Sequence, residues 1–456
     1  MTARLGSRAA LIAGAVLVGP VAGALAARKP TISLLLCLAV LCVVALAALG
    51  DAAFPWAIAI VAVAPWYPFT GSSAAPPLVR QLYLCLAVIA APLVPWLWSL
   101  ASGVRPRRPS KLILLLMILS LGYIVIVYST VGGIKPMVQS GTVGFLMGGI
   151  TFACARRFVD PRGWINAFFW AFVLLAVMGA AAFAMDPGDR VGAFVGHGIT
   201  YGALVVAVLP AALVYATRRS RLLTFVVGAA GAALLILSQS RSSWLATLMI
   251  VLYVMLLLAR RGDMRLMFYV GLGVVVAVTV VLTTGSLRHI VETRINSQVG
   301  QSQAVTHRQF SLNFAGSQIR QRPVFGAGEP GYAAAQIGAE TDLQAVDNGY
   351  LSIAIDLGLL GLAIALVPLA IALRVLGSSL RSGAAPPADI ALALGILGVS
   401  VVTLFYDSFY WAQLDLMLFA MAGTLSARAL RLGALGRMRD RRPAVMRPAA
   451  DRGFFA

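Results

Sequence analysis

Three arginines stand against the grain of an otherwise apolar sequence. Arg190 lies in Asp189-Arg190-Val191-Gly192-Ala193-Phe194, Arg241 in Ser238-Gln239-Ser240-Arg241-Ser242-Ser243-Trp244, and Arg308 opens a polar stretch that follows Thr306. A guanidinium keeps its charge, and its planar fork pairs with phosphate oxygens in bidentate fashion. Three of them facing one compartment suit a pyrophosphate held at a membrane surface. Taken singly, each is also compatible with an arginine that snorkels to the interface or closes a turn.

A second constellation is Val346-Asp347-Asn348-Gly349-Tyr350-Leu351, where the chain passes from a polar stretch into an apolar run. A carboxylate there could accept a proton from a hydroxyl group, while Asp and Asn are also ordinary helix N-caps. Asp356, almost two turns further on, needs a partner or a polar cavity if the run crosses lipid, and Asp407 and Asp415 raise the same question. His197 and His307 have no carboxylate or histidine cluster beside them, so no metal site is expected. The run Gly326-Ala327-Gly328-Glu329-Pro330-Gly331 matches the letters G-x-G-x-x-G. A dinucleotide-binding loop must follow a strand and open a helix, whereas here a predicted helix precedes it and Pro330 interrupts it, so a tight glycine-rich turn is expected instead.

The elements that hold these residues must be membrane helices. With 60% hydrophobic and 11% charged residues, the chain lacks the polar surface of a water-soluble domain. Apolar runs near the length that crosses about 30 Å of hydrocarbon fall at 9–27, 31–49, 52–66, 82–100, 112–131, 142–155, 164–184, 199–217, 221–238, 242–259, 266–284, 349–373, 388–404 and 409–427. The run 52–66 is broken by Pro55 and short enough to be re-entrant or interfacial, and the last run is marginal. The expectation is an all-α polytopic integral membrane protein with 12–14 transmembrane helices and one large, partly helical extracytoplasmic loop. Its parts are helices with short loops over 1–284, the loop over 285–346, further membrane helices over 347–427 and a basic cytoplasmic tail over 428–456.

With both termini in the cytoplasm, 25 of the 36 basic residues lie on that side and 11 on the other, five of them in the long loop. This is the bias that short cytoplasmic loops show; Arg28 and Lys29 dissent from it. Within the loop, Phe310 with Phe314, and Leu312 with Ala315 and Ile319, recur at the spacing of an amphipathic helix that Pro323 ends. The net charge of +20 is dispersed over loop ends and the tail, which points to anionic headgroups and away from nucleic acid. Cys37, Cys42, Cys85 and Cys154 sit inside apolar runs and are read as small apolar fillers, with no disulfide. The first apolar stretch could pass for a signal peptide, but another run follows within a few residues and it is expected to be retained.

Four of these motifs, in this order, resemble the O-antigen ligase and polymerase superfamily of bacterial surface-polysaccharide enzymes. They are Arg190-Val191-Gly192-Ala193-Phe194; Ser238-Gln239-Ser240-Arg241-Ser242-Ser243-Trp244; Arg308 followed by Pro323-Val324-Phe325-Gly326-Ala327-Gly328; and Asp347-Asn348-Gly349-Tyr350-Leu351 with Gly358 and Gly361. The resemblance implies a multi-span glycosyltransferase of the bacterial cytoplasmic membrane, with its active site facing the periplasm or cell exterior. Its donor would be an oligosaccharide on a polyprenyl diphosphate and its acceptor a glycan. It further implies a catalytic set of Asp347, Arg241 and Arg308, and a substrate-binding set of Arg190, Asn348, Tyr350, Gly326, Gly328 and His307. No cofactor is expected, because arginines would do at the leaving diphosphate what a metal does elsewhere. Membrane lipids are expected partners, and a chain-length regulator or export proteins are candidate ones. Many ligases of the family carry a histidine just before the asparagine of the fourth motif, where this chain has Asp347. That departure shifts the expectation from ligation onto lipid A core towards polymerisation of O-antigen or exopolysaccharide repeat units, with ligase-type transfer to a lipid or protein acceptor as the alternative. The competing classes are a transporter or flippase of polysaccharide precursors and a purely structural membrane component. The first usually shows internal repeats and mid-membrane ionisable groups, and the second leaves the arginines without a role.

Overall fold

The computed structural model describes residues 53–63, 97, 142–156, 160–185, 191, 198–264, 267–268, 302–327, 346, 348–382, 385–406 and 411–440, with single positions 271, 273, 275, 279, 283 and 292. Every regular element among the described residues is an α-helix. In chain order these are α1 (Ala53–Val63), α2 (Thr142–Ala155), α3 (Pro161–Met185), α4 (Gly198–Thr217), α5 (Arg221–Leu237), α6 (Arg241–Arg260), α7 (Ser302–Gln321), α8 (Gly349–Ser382), α9 (Pro387–Thr403) and α10 (Ala412–Asp440). Segments Arg162–Met185, Gly198–Thr217, Arg241–Arg260 and Gly349–Arg381 are long and apolar enough to cross a bilayer, and Arg221–Leu237 and Pro387–Thr403 are apolar but shorter. The all-α, polytopic membrane architecture expected from composition is therefore what the chain adopts. A backbone without water can pair its polar groups only within a helix or a closed barrel, and these runs take the helical solution. The expected spans at 9–27, 31–49, 82–100, 112–131 and 266–284 lie outside the described residues, save single positions.

α4 is the axis of the bundle. The run Ala203–Val208 is buried on every side, because α3, α5, α6 and α9 pack around it. Lipid offers helices no hydrophobic drive to associate, so close packing and interhelical hydrogen bonds hold them. Two contacts of this kind anchor α4. The Tyr201 hydroxyl donates to the Leu175 carbonyl of α3 at 2.8 Å. On the other side, a Cβ on Gly395 of α9 would stand 2.5 Å from the Ala207 carbonyl oxygen, so the two helices approach as closely as only a glycine permits. The outer helices turn a leucine stripe outward: Leu245, Leu248, Leu252 and Leu256 of α6 are all exposed, at the three- and four-residue spacing of one helix face. The described part of α1 is 11 residues long. Apart from the exposed Ile60 it is largely buried, and it packs against α3 and α10.

Among the described residues, the two ends of the bundle differ in charge. Arg156 and Arg162, Arg218, Arg219 and Arg221, Arg260 and Arg261, Arg381 and Arg428 all lie where α2 meets α3, α4 meets α5, α6 ends, α8 meets α9 and α10 leaves the core. At this basic end Arg428 of α10 and Asp389 in the first turn of α9 form an ion pair, Nε to Oδ1 2.6 Å, with little of either side chain exposed. The opposite end gathers the C-termini of α3, α5 and α9 and the N-termini of α4, α6, α8 and α10.

Candidate functional site

At the opposite end, α5 and α6 reverse direction through a turn of hydroxyl groups. Gln239 takes a left-handed φ of 50°, uncommon for a residue with a side chain. Ser240 caps α6, its Oγ accepting from the Ser243 N–H at 3.3 Å and lying 2.8 Å from the Ser243 hydroxyl and 3.2 Å from that of Ser242. The Ser238 hydroxyl donates to the Leu235 carbonyl at 2.7 Å and accepts from the Ser240 N–H at 3.3 Å. Trp244 Nε1 donates to the same Leu235 carbonyl at 2.7 Å. Ser238, Ser240 and Ser243 are fully enclosed, so the turn carries its own polar partners into an apolar setting, where unpaired groups are costly. Space for the serines comes from Gly202 in the first turns of α4: a Cβ there would stand 2.6 Å from Ser243 Oγ and 2.9 Å from Ser238 Oγ. Arg241 follows the cap as the first residue of α6 and is partly buried. A cation beside the positive end of a helix dipole is placed against its electrostatic preference. Beside this turn, the Val191 N–H donates to the Leu237 carbonyl at 3.2 Å, so the residue that follows Arg190 in sequence lies against the end of α5.

The entrance of α8 joins the same end. The Gly349 N–H donates to the Tyr406 carbonyl at 3.3 Å, and the Tyr406 hydroxyl lies 3.2 Å from the hydroxyl of Thr200. The start of α8, the segment after α9 and the start of α4 are thus tied together. Asn348 is the cap of α8: its Oδ1 accepts from the Leu351 N–H at 3.1 Å. Tyr350 is buried with its hydroxyl towards Ser400 of α9, and Asp356 is buried deeper in α8.

α7 lies against this entrance. Phe314 and Ala315 of α7 are buried with Val346 and Ile355, and Phe310, Ile319 and Leu351 border the cluster. The rings of Phe310 and Phe314 stack with centroids 6.4 Å apart. Leu312, expected on the apolar face with Ala315 and Ile319, instead points outward. It stands three residues before Ala315, yet the contact surface is narrow and centres on Phe314 and Ala315. By helical register position 308 shares the face of Ser311 and Ala315, both buried, and position 307 shares that of Phe310 and Phe314. After α7 the chain turns at Pro323–Ala327 and pairs its backbone with α8 around Gly358.

Of the residues singled out in the sequence, Arg241, Asn348 and Tyr350 sit at this one end of the bundle, with Gly326 in the turn that docks on α8. His307 and Arg308 lie in the second turn of α7. Arg190, Asp347, Gly328, His197 and Asp407 lie outside the described residues, as does the whole of 328–345. Val191, Val346 and Ala327, the described neighbours of three of them, are at or beside the site. Thr200, Gly202 and Tyr406 also shape it, and sequence gave only a faint signal for them: small or hydroxylated residues at the ends of apolar runs.

Residues 224–366 match the family model described as O-Antigen ligase. The match begins in α5, takes in the serine turn, α6 and α7, and ends in α8 beyond Gly361. No curated protein matches the chain.

Proposed function

We propose, from a chain whose residues 224–366 form a domain of the O-antigen ligase and polymerase superfamily, that this integral membrane protein transfers polyprenyl-diphosphate-linked oligosaccharide units, and that it polymerises repeat units of an O-antigen or exopolysaccharide. The observation that supports this best is the gathering of the Val191 segment, the Ser238–Arg241 turn and the entrance of α8 at one end of the bundle, around the start of α4. That end is opposite the arginine-rich end. With the basic end in the cytoplasm, the site and the loop 285–346 face the outside of the cytoplasmic membrane, and the tail 428–456 lies inside.

In the reaction an acceptor sugar hydroxyl attacks the anomeric carbon of the donor. The new glycosidic C–O bond forms as the bond to the diphosphate oxygen breaks, and the polyprenyl diphosphate leaves with the electron pair. Asp347 takes the hydroxyl proton as general base. Arg190, Arg241 and Arg308 bind the diphosphate, whose charge grows in the transition state, where preorganised cations are worth most; no metal is needed for this. His307, Asn348 and Gly328 line the path of donor and acceptor, Tyr350 and Gly326 support it from the bundle side, and Asn348 also caps the helix that Asp347 precedes in sequence.

The test is polymer formation by the purified protein in liposomes supplied with lipid-linked repeat units. Arg241→Lys keeps the charge and loses the bidentate fork, so it is expected to lose most of the transfer rate at unchanged protein level. Parental rates in the Lys variant would remove bidentate diphosphate binding from the mechanism. Transfer of single units to a non-glycan acceptor, without chain growth, would replace polymerisation by ligation.

A further inference from the structure

α8 is interrupted at Gly358, whose φ of 69° and ψ of −167° are not helical. A break in a membrane helix releases N–H and C=O groups that have no water to pair with. In this protein the turn after α7 pairs with them. The Ala327 N–H donates to the Ile355 carbonyl at 2.8 Å, the Leu359 N–H to the Pro323 carbonyl at 2.8 Å, and the Leu360 N–H to the Val324 carbonyl at 3.3 Å. The two backbones meet glycine to glycine. Gly326 has φ of 64°, and a Cβ on it would stand 2.5 Å from both the Gly358 nitrogen and the Ile355 carbonyl oxygen; a Cβ on Gly358 would stand 2.6 Å from the Gly326 nitrogen. Neither position has room for a side chain, and both have a backbone that side chains disfavour.

We propose that Gly326 and Gly358 are positioning residues: their backbone clasp fixes α7 over the entrance of α8 and thereby sets Arg308 for the transfer reaction, a role that rests on the function proposed above. Among the described residues, the side chains of α7 give it a small apolar hold on α8 through Phe314, Ala315 and their few neighbours, whereas the three hydrogen bonds of the clasp follow within a few residues of its C-terminus. Leverage makes the clasp matter. Position 308 lies about 20 Å along the helix from the last residue of α7 at about 1.5 Å per residue, so a tilt of about 10° at the clasp moves it by roughly 3 Å. Displacements of about 1 Å at a reacting centre already cost on the order of a hundredfold in rate.

The experiment has a geometric arm and a kinetic arm. Spin labels are placed on a cysteine-free protein at Gln309 of α7 and Leu404 just past α9, both exposed, and their distance distribution is measured in lipid. The parent is expected to give one narrow distance. Gly326→Ala is expected to broaden or shift it by several ångströms and to lower the transfer rate about a hundredfold. In an Arg308→Ala background, Gly326→Ala is expected to cost almost nothing more, because residues acting through one another are not additive. Ala327→Pro removes the donor to Ile355 without adding a Cβ at Gly326, is expected to act in the same direction, and carries the test if the glycine variant does not fold. An unchanged distance in a folded variant, or a further hundredfold loss in the Arg308→Ala background, overturns the proposal. Absence of any transfer by the parent would refute the function proposed above, while the distance measurement would still decide whether the clasp fixes α7.

Discussion

Asp347→Asn separates chemistry from capping at the entrance of α8. The first turn of a helix leaves N–H groups without intrahelical partners, and at this end two of them are paired from outside the helix. The Gly349 N–H reaches the Tyr406 carbonyl at 3.3 Å, and the Leu351 N–H reaches Asn348 Oδ1 at 3.1 Å. Neither bond involves the side chain at position 347. Asp347→Asn is expected to change stability by no more than about 0.5 kcal/mol, because Asn and Asp are nearly equal as helix caps. Asn348→Ala deletes the cap and is expected to cost about 1 kcal/mol, while Asn348→Asp keeps it. If Asp347 is the general base, its removal lowers the transfer rate by about a hundredfold to ten-thousandfold. The assay is polymer formation from purified lipid-linked repeat units, with thermal unfolding of each variant in the same detergent. Near-parental polymer yield for Asp347→Asn removes the base from the mechanism. An unfolding midpoint that drops as far for Asp347→Asn as for Asn348→Ala refutes the assignment of the cap to Asn348.

Three further outcomes are expected. Gly202→Val brings a branched side chain against Ser238 and Ser243, where a Cβ alone would lie 2.6 Å from an Oγ; overpacking of this kind costs about 1–3 kcal/mol and is read as a lowered unfolding temperature. Arg428→Met strands Asp389 beside a lost partner 2.6 Å away, and breaking a buried pair from one side costs about 3–5 kcal/mol, whereas replacing both residues by apolar ones costs far less; comparing unfolding of the single and double variants checks this. A cysteine at Gln301 is expected to react with an impermeant thiol reagent on intact cells, and labelling only after permeabilisation would invert the topology.

Much of the fold was legible because lipid writes a simple pattern. Within the described residues, the helices α3, α4, α5, α6 and α9 begin and end within a few residues of the apolar runs that announced them. The errors come where hydropathy and backbone geometry part company. The run 349–373 continues as helix to Ser382, since a polar end such as Ser378-Ser379-Leu380-Arg381 still forms helix once it has left the hydrocarbon. The break at Gly358 is hidden inside Asp356-Leu357-Gly358-Leu359-Leu360-Gly361, which reads as uninterrupted apolar helix; only a distant segment, the turn at Gly326, makes the break tolerable. At the entrance of α8 two good capping residues stand side by side, and sequence offers no way to choose; the geometry gives the cap to Asn348. The serine turn was visible as a polar interruption, but the partner of each hydroxyl depends on Gln239 taking a left-handed backbone, which its side chain does not advertise. Thr200 and Tyr406 meet across more than 200 residues of sequence, a proximity no local pattern contains.

The interruption of α8 also bears on what keeps its two arms apart. A continuous helix of 34 residues is about 51 Å long at 1.5 Å per residue, well beyond the roughly 30 Å of a bilayer core. The backbone groups that the break at Gly358 releases are paired by residues 323–327, which precede α8 in the chain; left unpaired in lipid, they would cost several kcal/mol each. The two arms of α8 are thus held as separate helices by a segment that belongs to neither, and a change that displaces residues 323–327 is expected to favour one continuous helix.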